Sequence, residues 1–376
     1  MAVTTQESQI IWNLRFPLTF AVVMQHSMGK VWTEVDWQAL SGLDLYCLFK
    51  YLCSGCIALV AVPVFFFISG YLFFANISQM NMHVYWQKMR KRFTSLFVPY
   101  ISWNLLCIPI LLLVTYGEAL NGTRAMTDFT ELVHSDRWGH IFWDFYSKDA
   151  TYTNLWGWAL LKENPVLSTF WYVRDLIIMS VLSPVIYWYV KKTKWIGFWG
   201  LVLVFVFRIW PHIALGPQSL FFVFGAYASL LYGRLTVANK SVRYVIYILA
   251  IVLTIVMVIL FGNDTWRGFL LAPLYTLVGC YAVLNLMGSL VERKSVPPMP
   301  SLLTKSSFFV YALHIEFALP IGFFIMKFMF RYAEHPLLLT VQYLLTPCLI
   351  YAICVLAYII MQKFMPKLLS ILNGSR

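Results

Sequence analysis

Arg15 and His26 interrupt a run, Ile10 to Met28, that is otherwise mostly apolar: "NLRFPLTFAVVMQHS" forms most of it. A neutral imidazole can take a proton from a hydroxyl near neutral pH. The run is long enough to cross a bilayer, where ionisable side chains are costly and usually functional. At about 100° per residue, 11 positions make three turns plus roughly 20°, so both side chains share one helix face about 16 Å apart. Each also has a structural reading. Arg15 near a helix end can snorkel to the interface, and His26 can bond between helices.

Further polar groups fall in other apolar runs. "STFWYVRDLIIMSVLSP" carries Trp171, Arg174 and Asp175. Helix neighbours point about 100° apart, so Arg174 and Asp175 are expected to face different partners rather than each other. In "FFVYALHIEFALP", Tyr311 and His314 share a face while Glu316 points elsewhere. This cluster reads as packing or as part of a polar cavity. "YWQKMRKRFTSLFVPY" gathers Lys88, Arg90, Lys91 and Arg92 into a basic loop, residues 77–92. Such clusters hold a loop inside and attract anionic lipid; they also suit the phosphates of a cytosolic nucleotide or coenzyme A. Cys53 and Cys56 form a CxxC with no second pair or nearby His, so no metal site is expected. The sequence has no GxxxxGK[ST], no HExxH and no GxSxG with a partnered triad. Chemistry here must rest on a histidine in a polar membrane cavity.

The elements that position these groups follow from composition. Of 376 residues 60% are hydrophobic and 12% charged, with 15 Trp and 22 Tyr. The mean hydropathy is +0.72. These values belong to an integral membrane protein with broad aromatic belts, not to a soluble domain. The net charge of +12 lies mainly in short loops, which argues against a nucleic-acid partner. The first run lacks the basic region and cleavage site of a signal peptide and reads as a retained helix. At about 20 residues per span, the expected architecture is an all-α membrane protein, a single domain of about ten transmembrane helices. They lie near 10–29, 51–76, 93–116, 167–190, 195–210, 216–232, 244–261, 267–289, 308–330 and 337–362. The fifth is short, ending near Arg208, Trp210 and Pro211. With both termini cytoplasmic, 16 of the 28 Lys and Arg fall on the inner side. The longest loop, 117–166, is then outside; its Trp, Tyr and Phe suit a cap, a sugar-stacking surface or an interfacial belt. Asn121 and Asn263 sit in sequons on that side.

Five stretches, in order and spanning nearly the whole chain, resemble the acyltransferase family 3 membrane proteins. They are the Arg15-to-His26 run, "VPVFFFISGYLFF", the basic loop entering "RFTSLFVPYISWN", "FWYVRDL" followed by "LSPVIYW", and "VYALHIEF". The resemblance implies about ten helices and an O-acyltransferase in a bacterial inner (plasma) membrane. Its donor would be cytosolic acyl-coenzyme A, usually acetyl-CoA, and its acceptor a sugar hydroxyl of an envelope glycan or lipid-linked precursor. On this sequence His26 matches the catalytic histidine, Arg15 its first-helix partner and Lys88 to Arg92 the donor-linked motif. The family often shows two arginines three positions apart, whereas Ser95 stands three after Arg92. Which of the four cations holds phosphate is therefore open. The implied chemistry has His26 as general base or as acyl carrier. The chief alternative is a transporter or flippase, also a helical bundle with ionisable groups at depth, although paired Gly/Pro-interrupted helices are missing.

Overall fold

The computed structural model describes residues 3–27, 35–120, 122, 125–145, 151–153, 159–161, 164–209, 215–260, 267–331 and 334–374. Asn121, Asn263, Trp210 and Pro211 lie outside the described residues. Fifteen α-helices are described: α1 Thr5–His26, α2 Gly42–Lys50, α3 Ala61–Phe74, α4 Met82–Arg92, α5 Val98–Leu120, α6 Met126–Val133, α7 Trp171–Val181, α8 Ser183–Val206, α9 Leu220–Tyr227, α10 Lys240–Ile259, α11 Arg267–Glu292, α12 Ser301–Leu313, α13 Leu319–Met329, α14 Pro336–Phe364 and α15 Pro366–Leu372. A short antiparallel ribbon, Thr151–Thr153 with Ala159–Leu161, is the one departure from an all-helical chain among the described residues.

Each of the ten apolar stretches is mainly helical where it is described, with turns or coil at several of their ends. Six long helical segments are apolar enough to cross a membrane, and a seventh if the bent pair 168–181 and 183–206 counts as one span. α1 misses that standard because Gln9, Asn13, Arg15 and Gln25 dilute it, and α9 because it is short. α8 breaks at Lys194, whose φ of 48° and ψ of −134° separate the fourth and fifth apolar stretches. The fifth ends at Val206, before a left-handed Arg208.

Four π-helical turns interrupt the regular helices, at Tyr51–Cys56, Phe93–Phe97, Ala228–Tyr232 and His314–Ala318. One corrects the sequence reading of a basic loop. Asn81 caps α4 by accepting the Val84 N–H, and α4 runs through the π turn at Phe93 directly into α5. The cations at 88–92 therefore sit on a helix, not on a loop.

Helix starts are written locally. Thr4 and Glu7 form a capping box on α1, as do Ser41 and Asp44 on α2. Glu7 also accepts from the Tyr71 hydroxyl at 2.6 Å and from the Leu235 N–H at 3.0 Å, tying α1 to α3 and to the turn before α10. Burial pushes its carboxyl up, but these bonds and those from Thr4 outweigh it and hold it below its ordinary value.

At the same end, Asn13 accepts from the Met299 N–H at 2.9 Å and Trp12 Nε1 donates to the Met299 carbonyl at 2.8 Å. Asn373 Nδ2 donates to the Lys305 carbonyl there too. The beginning of α1 and the end of α15 thus lie at one end of the bundle. α3 and α9 run antiparallel in closest contact. A Cβ on Gly70 would collide with the Phe222 carbonyl, and one on Gly225 with the Phe67 carbonyl.

Candidate active site

Asn13 sets the register of α1 against α12, two helices that run side by side in the same direction. Consequently the polar face of α1 meets the polar face of α12 along its length. Between them, and walled by α3, α7 and the π turn at Phe93–Phe97, lies a cavity of about 270 Å³. α1 contributes Arg15, Leu18, Thr19 and Val22 to it; α3 contributes Val62, Phe65, Ser69 and Leu72. Both sets follow helical spacing, one face of each helix. Arg92, Ser95, Thr304, Lys305, Ser307, Tyr172 and Tyr311 complete the polar lining, which holds no carboxylate among the described residues.

The structure divides the basic cluster. Arg92 turns inward, donating from Nη2 to the Ser69 carbonyl at 3.3 Å and lying over the Phe73 ring. Lys88 donates to the Ala75 carbonyl at 3.1 Å, at the C-terminal end of α3, where a cation is favourable. Arg90 and Lys91 are exposed. Arg90 instead borders a surface groove between α4 and α7, lined by Trp86, Phe93 and Val181. Only Arg92 of the four therefore joins Arg15 in the cavity. Lys305, one of the 16 Lys and Arg counted on the inner side and not otherwise singled out, joins them. The polar run "TKSS" entering the ninth apolar stretch was its only signal.

At the cavity's other end stands Tyr311. Its hydroxyl donates to the Thr169 carbonyl, and its ring stacks on Phe170 at 5.8 Å and meets Tyr172 edge-on at 5.7 Å. One helical turn on, His314 is wholly buried. Its ring centre lies 6.1 Å from that of Tyr311 and 5.3 Å from that of His26. His26 itself is exposed at the end of α1. Arg15 and His26 do share a face, but they stand at opposite ends of the seam. Arg15, half-buried and beside the Trp12 ring, belongs with Arg92.

Arg174 and Asp175 overturn the expectation that they would face apart. Arg174 folds back so that Nε and Nη2 donate to Asp175 Oδ1 at 3.1 and 3.0 Å. The long side chain bends around the 100° separation. The pair is buried, and what it does is fasten loops. Arg174 Nη1 donates to the Trp143 carbonyl at 2.9 Å and its guanidinium lies over that ring; Asp175 Oδ2 accepts from the Gly216 N–H at 2.9 Å. Glu316 likewise does not reach the cavity; it accepts from Ser168 Oγ at 2.8 Å. Trp171 packs on Phe66 and near Gly216. Where it is described, the long loop packs onto the bundle, burying Phe145 and Val166.

Cys53 and Cys56 are free thiols. Among the described residues no group of three or more His, Cys, Asp or Glu could hold a metal ion.

A cavity lined by three cations thus lies in an apolar helical bundle, with two neighbouring histidines beyond one end of it. Searches of curated proteins and of solved structures returned no match. A family model does match, an acyltransferase domain, over residues 11–361. That span takes in Arg15, the whole cavity and both histidines, so the chain belongs to the acyltransferase 3 family and is a multi-pass membrane acyltransferase.

Proposed function

We propose that this acyltransferase moves an acyl group, acetyl in the simplest case, from coenzyme A to a sugar hydroxyl of an envelope glycan or its lipid-linked precursor. The observation that carries the reading is the arrangement of the seam: three cations gather at one end of the cavity and His26 lies beyond the other. The cation end is the cytosolic one, as its basic connections favour. Coenzyme A brings phosphates, which Arg15 and Arg92 grip with charge-assisted bonds. Lys88, Arg90 and Lys91 draw the donor to that surface. The thin pantetheine arm occupies the apolar part of the cavity and carries the thioester toward His26. Tyr311, His314 and Trp171 shape the passage, while Arg174, Asp175 and Glu316 hold the cap and the segment from 166 to 175 above it.

In the reaction His26 takes the proton of the acceptor hydroxyl as the oxygen attacks the thioester carbonyl. The C–S bond breaks, and the departing sulfur receives the proton, giving an ester and free coenzyme A. No metal takes part. General-base help of this kind contributes about 10² to 10⁴ in rate. The separation of about 16 Å along α1 keeps Arg15 out of the proton transfer and assigns it to donor binding.

The test uses purified protein in liposomes with radiolabelled acetyl-CoA and an envelope-glycan extract. Wild type releases coenzyme A and labels the glycan, whereas His26→Ala does neither while still binding the donor. Undiminished labelling by folded His26→Ala protein removes His26 from the chemistry. Failure of wild type to bind any acyl-CoA removes the donor.

A further inference from the structure

We infer that His314 is a positioning residue that fixes which nitrogen of His26 carries the proton, an inference that rests on reading His26 as the general base. His314 Nδ1 lies 2.7 Å from the Tyr311 carbonyl oxygen. A carbonyl only accepts, so Nδ1 holds the hydrogen and Nε2 of the neutral ring presents a lone pair. That nitrogen is fully buried and has no hydrogen-bond partner. Buried acceptors are costly to leave unmatched.

The His26 ring lies beside that of His314, tilted by 53° with its centre 5.3 Å away. With a nitrogen of each ring brought onto the line of centres, about 3 Å would separate them, within hydrogen-bond reach. A turn of the His26 ring closes an N–H···N bond onto His314 Nε2.

Two polar groups of the same segment are committed elsewhere. The Tyr311 hydroxyl is on Thr169 and Glu316 is on Ser168. The π turn begins at His314 itself, and such turns frequently mark functional positions because they re-aim the side chains they carry.

With that bond made, the other nitrogen of His26 must carry the lone pair, the state a general base requires. On accepting the hydroxyl proton His26 becomes an imidazolium, still donating to His314. It then yields the new proton to the departing sulfur, and both histidines return to their starting tautomers. His314 never touches substrate; its role is that of the orienting partner of a catalytic histidine.

The test uses the full-length protein in lipid, isotopically labelled at its seven histidines, as wild type, His314→Ala, His314→Gln and His314→Asn. Ring nitrogen shifts should show one His26 tautomer in wild type and a mixture in His314→Ala. A Gln side chain can place an acceptor oxygen near the Nε2 position, whereas Asn reaches only the Nδ1 position. His314→Gln should therefore keep the single tautomer, and His314→Asn should not. In turnover, His314→Ala should lose about 100-fold in kcat with little change in KM for acyl-CoA, and Gln should recover most of it. Unchanged His26 shifts in His314→Ala overturn the inference, as does equal loss in Gln and Asn variants that fold. If His314→Ala does not fold, the Gln and Asn variants carry the same contrast. Full activity in His26→Ala is a failure of the base assignment alone, and the nitrogen shifts still judge the pairing.

Discussion

α3 shows two opposite solutions on its two sides. Toward α9 it is closed backbone against backbone, with Gly70 and Gly225 allowing the contact. Toward α1 and α12 the same helix presents Val62, Phe65, Ser69 and Leu72 to an open cavity. Lipid tails are as apolar as leucine, so burying apolar surface does not by itself press membrane helices together. A tight seam on one face therefore anchors α3 while the other face stays apart. The seam gives stability, and the cavity leaves the room that the proposed donor needs.

This contrast can be broken from either side. The largest effect belongs to the cavity's far end: His26→Ala should cost about 10³-fold in turnover with the thermal midpoint unchanged. Comparable loss of midpoint would make His26 structural. Next, Gly225→Leu should destabilise by about 3 kcal/mol through overpacking against the Phe67 carbonyl, read as a lower midpoint and a broadened elution profile. Activity per folded molecule should survive. A stable Gly225→Leu protein would mean that the seam opens cheaply. Arg15→Gln and Arg92→Gln should each raise KM for acyl-CoA about tenfold or more, the worth of a charge-assisted bond, leaving stability intact. The smallest effect concerns Glu7, which holds the end of α3 through Tyr71. Its folded carboxyl titrates below its ordinary value of 4.5. Its contribution is therefore complete above that value and fades as pH falls through the lower folded value. Glu7→Gln should lower the midpoint by about 2 °C at neutral pH and flatten its acid dependence. An unaltered acid profile would assign that dependence to other groups.

The apolar stretches were legible because span length is imposed by the bilayer and not by tertiary detail. The shared face of Arg15 and His26 was legible for a similar reason: α1 stays α-helical from end to end. Beyond 313 helical counting rightly set Glu316 apart from Tyr311 and His314, but past the π turn it named no partner, and the bond to Ser168 was not legible. Arg174 and Asp175 were misjudged because backbone direction ignores the reach of a flexible arginine. Lys305 could not be joined to Arg15 from sequence at all. Their meeting depends on Asn13 gripping a turn 286 residues away, a register that no local pattern carries.

The packed rings of Phe170, Tyr172 and Tyr311, which stand where the cavity approaches the histidines, have an electrical consequence. A membrane that stores energy as an ion gradient is short-circuited by any continuous water path. In the proposed reaction donor and acceptor come from opposite faces, so these rings would serve as an insulator as much as a wall. Such a catalyst could exchange an acyl group across the bilayer only while it conducts no current, and trimming Tyr311 would be felt first as a proton leak.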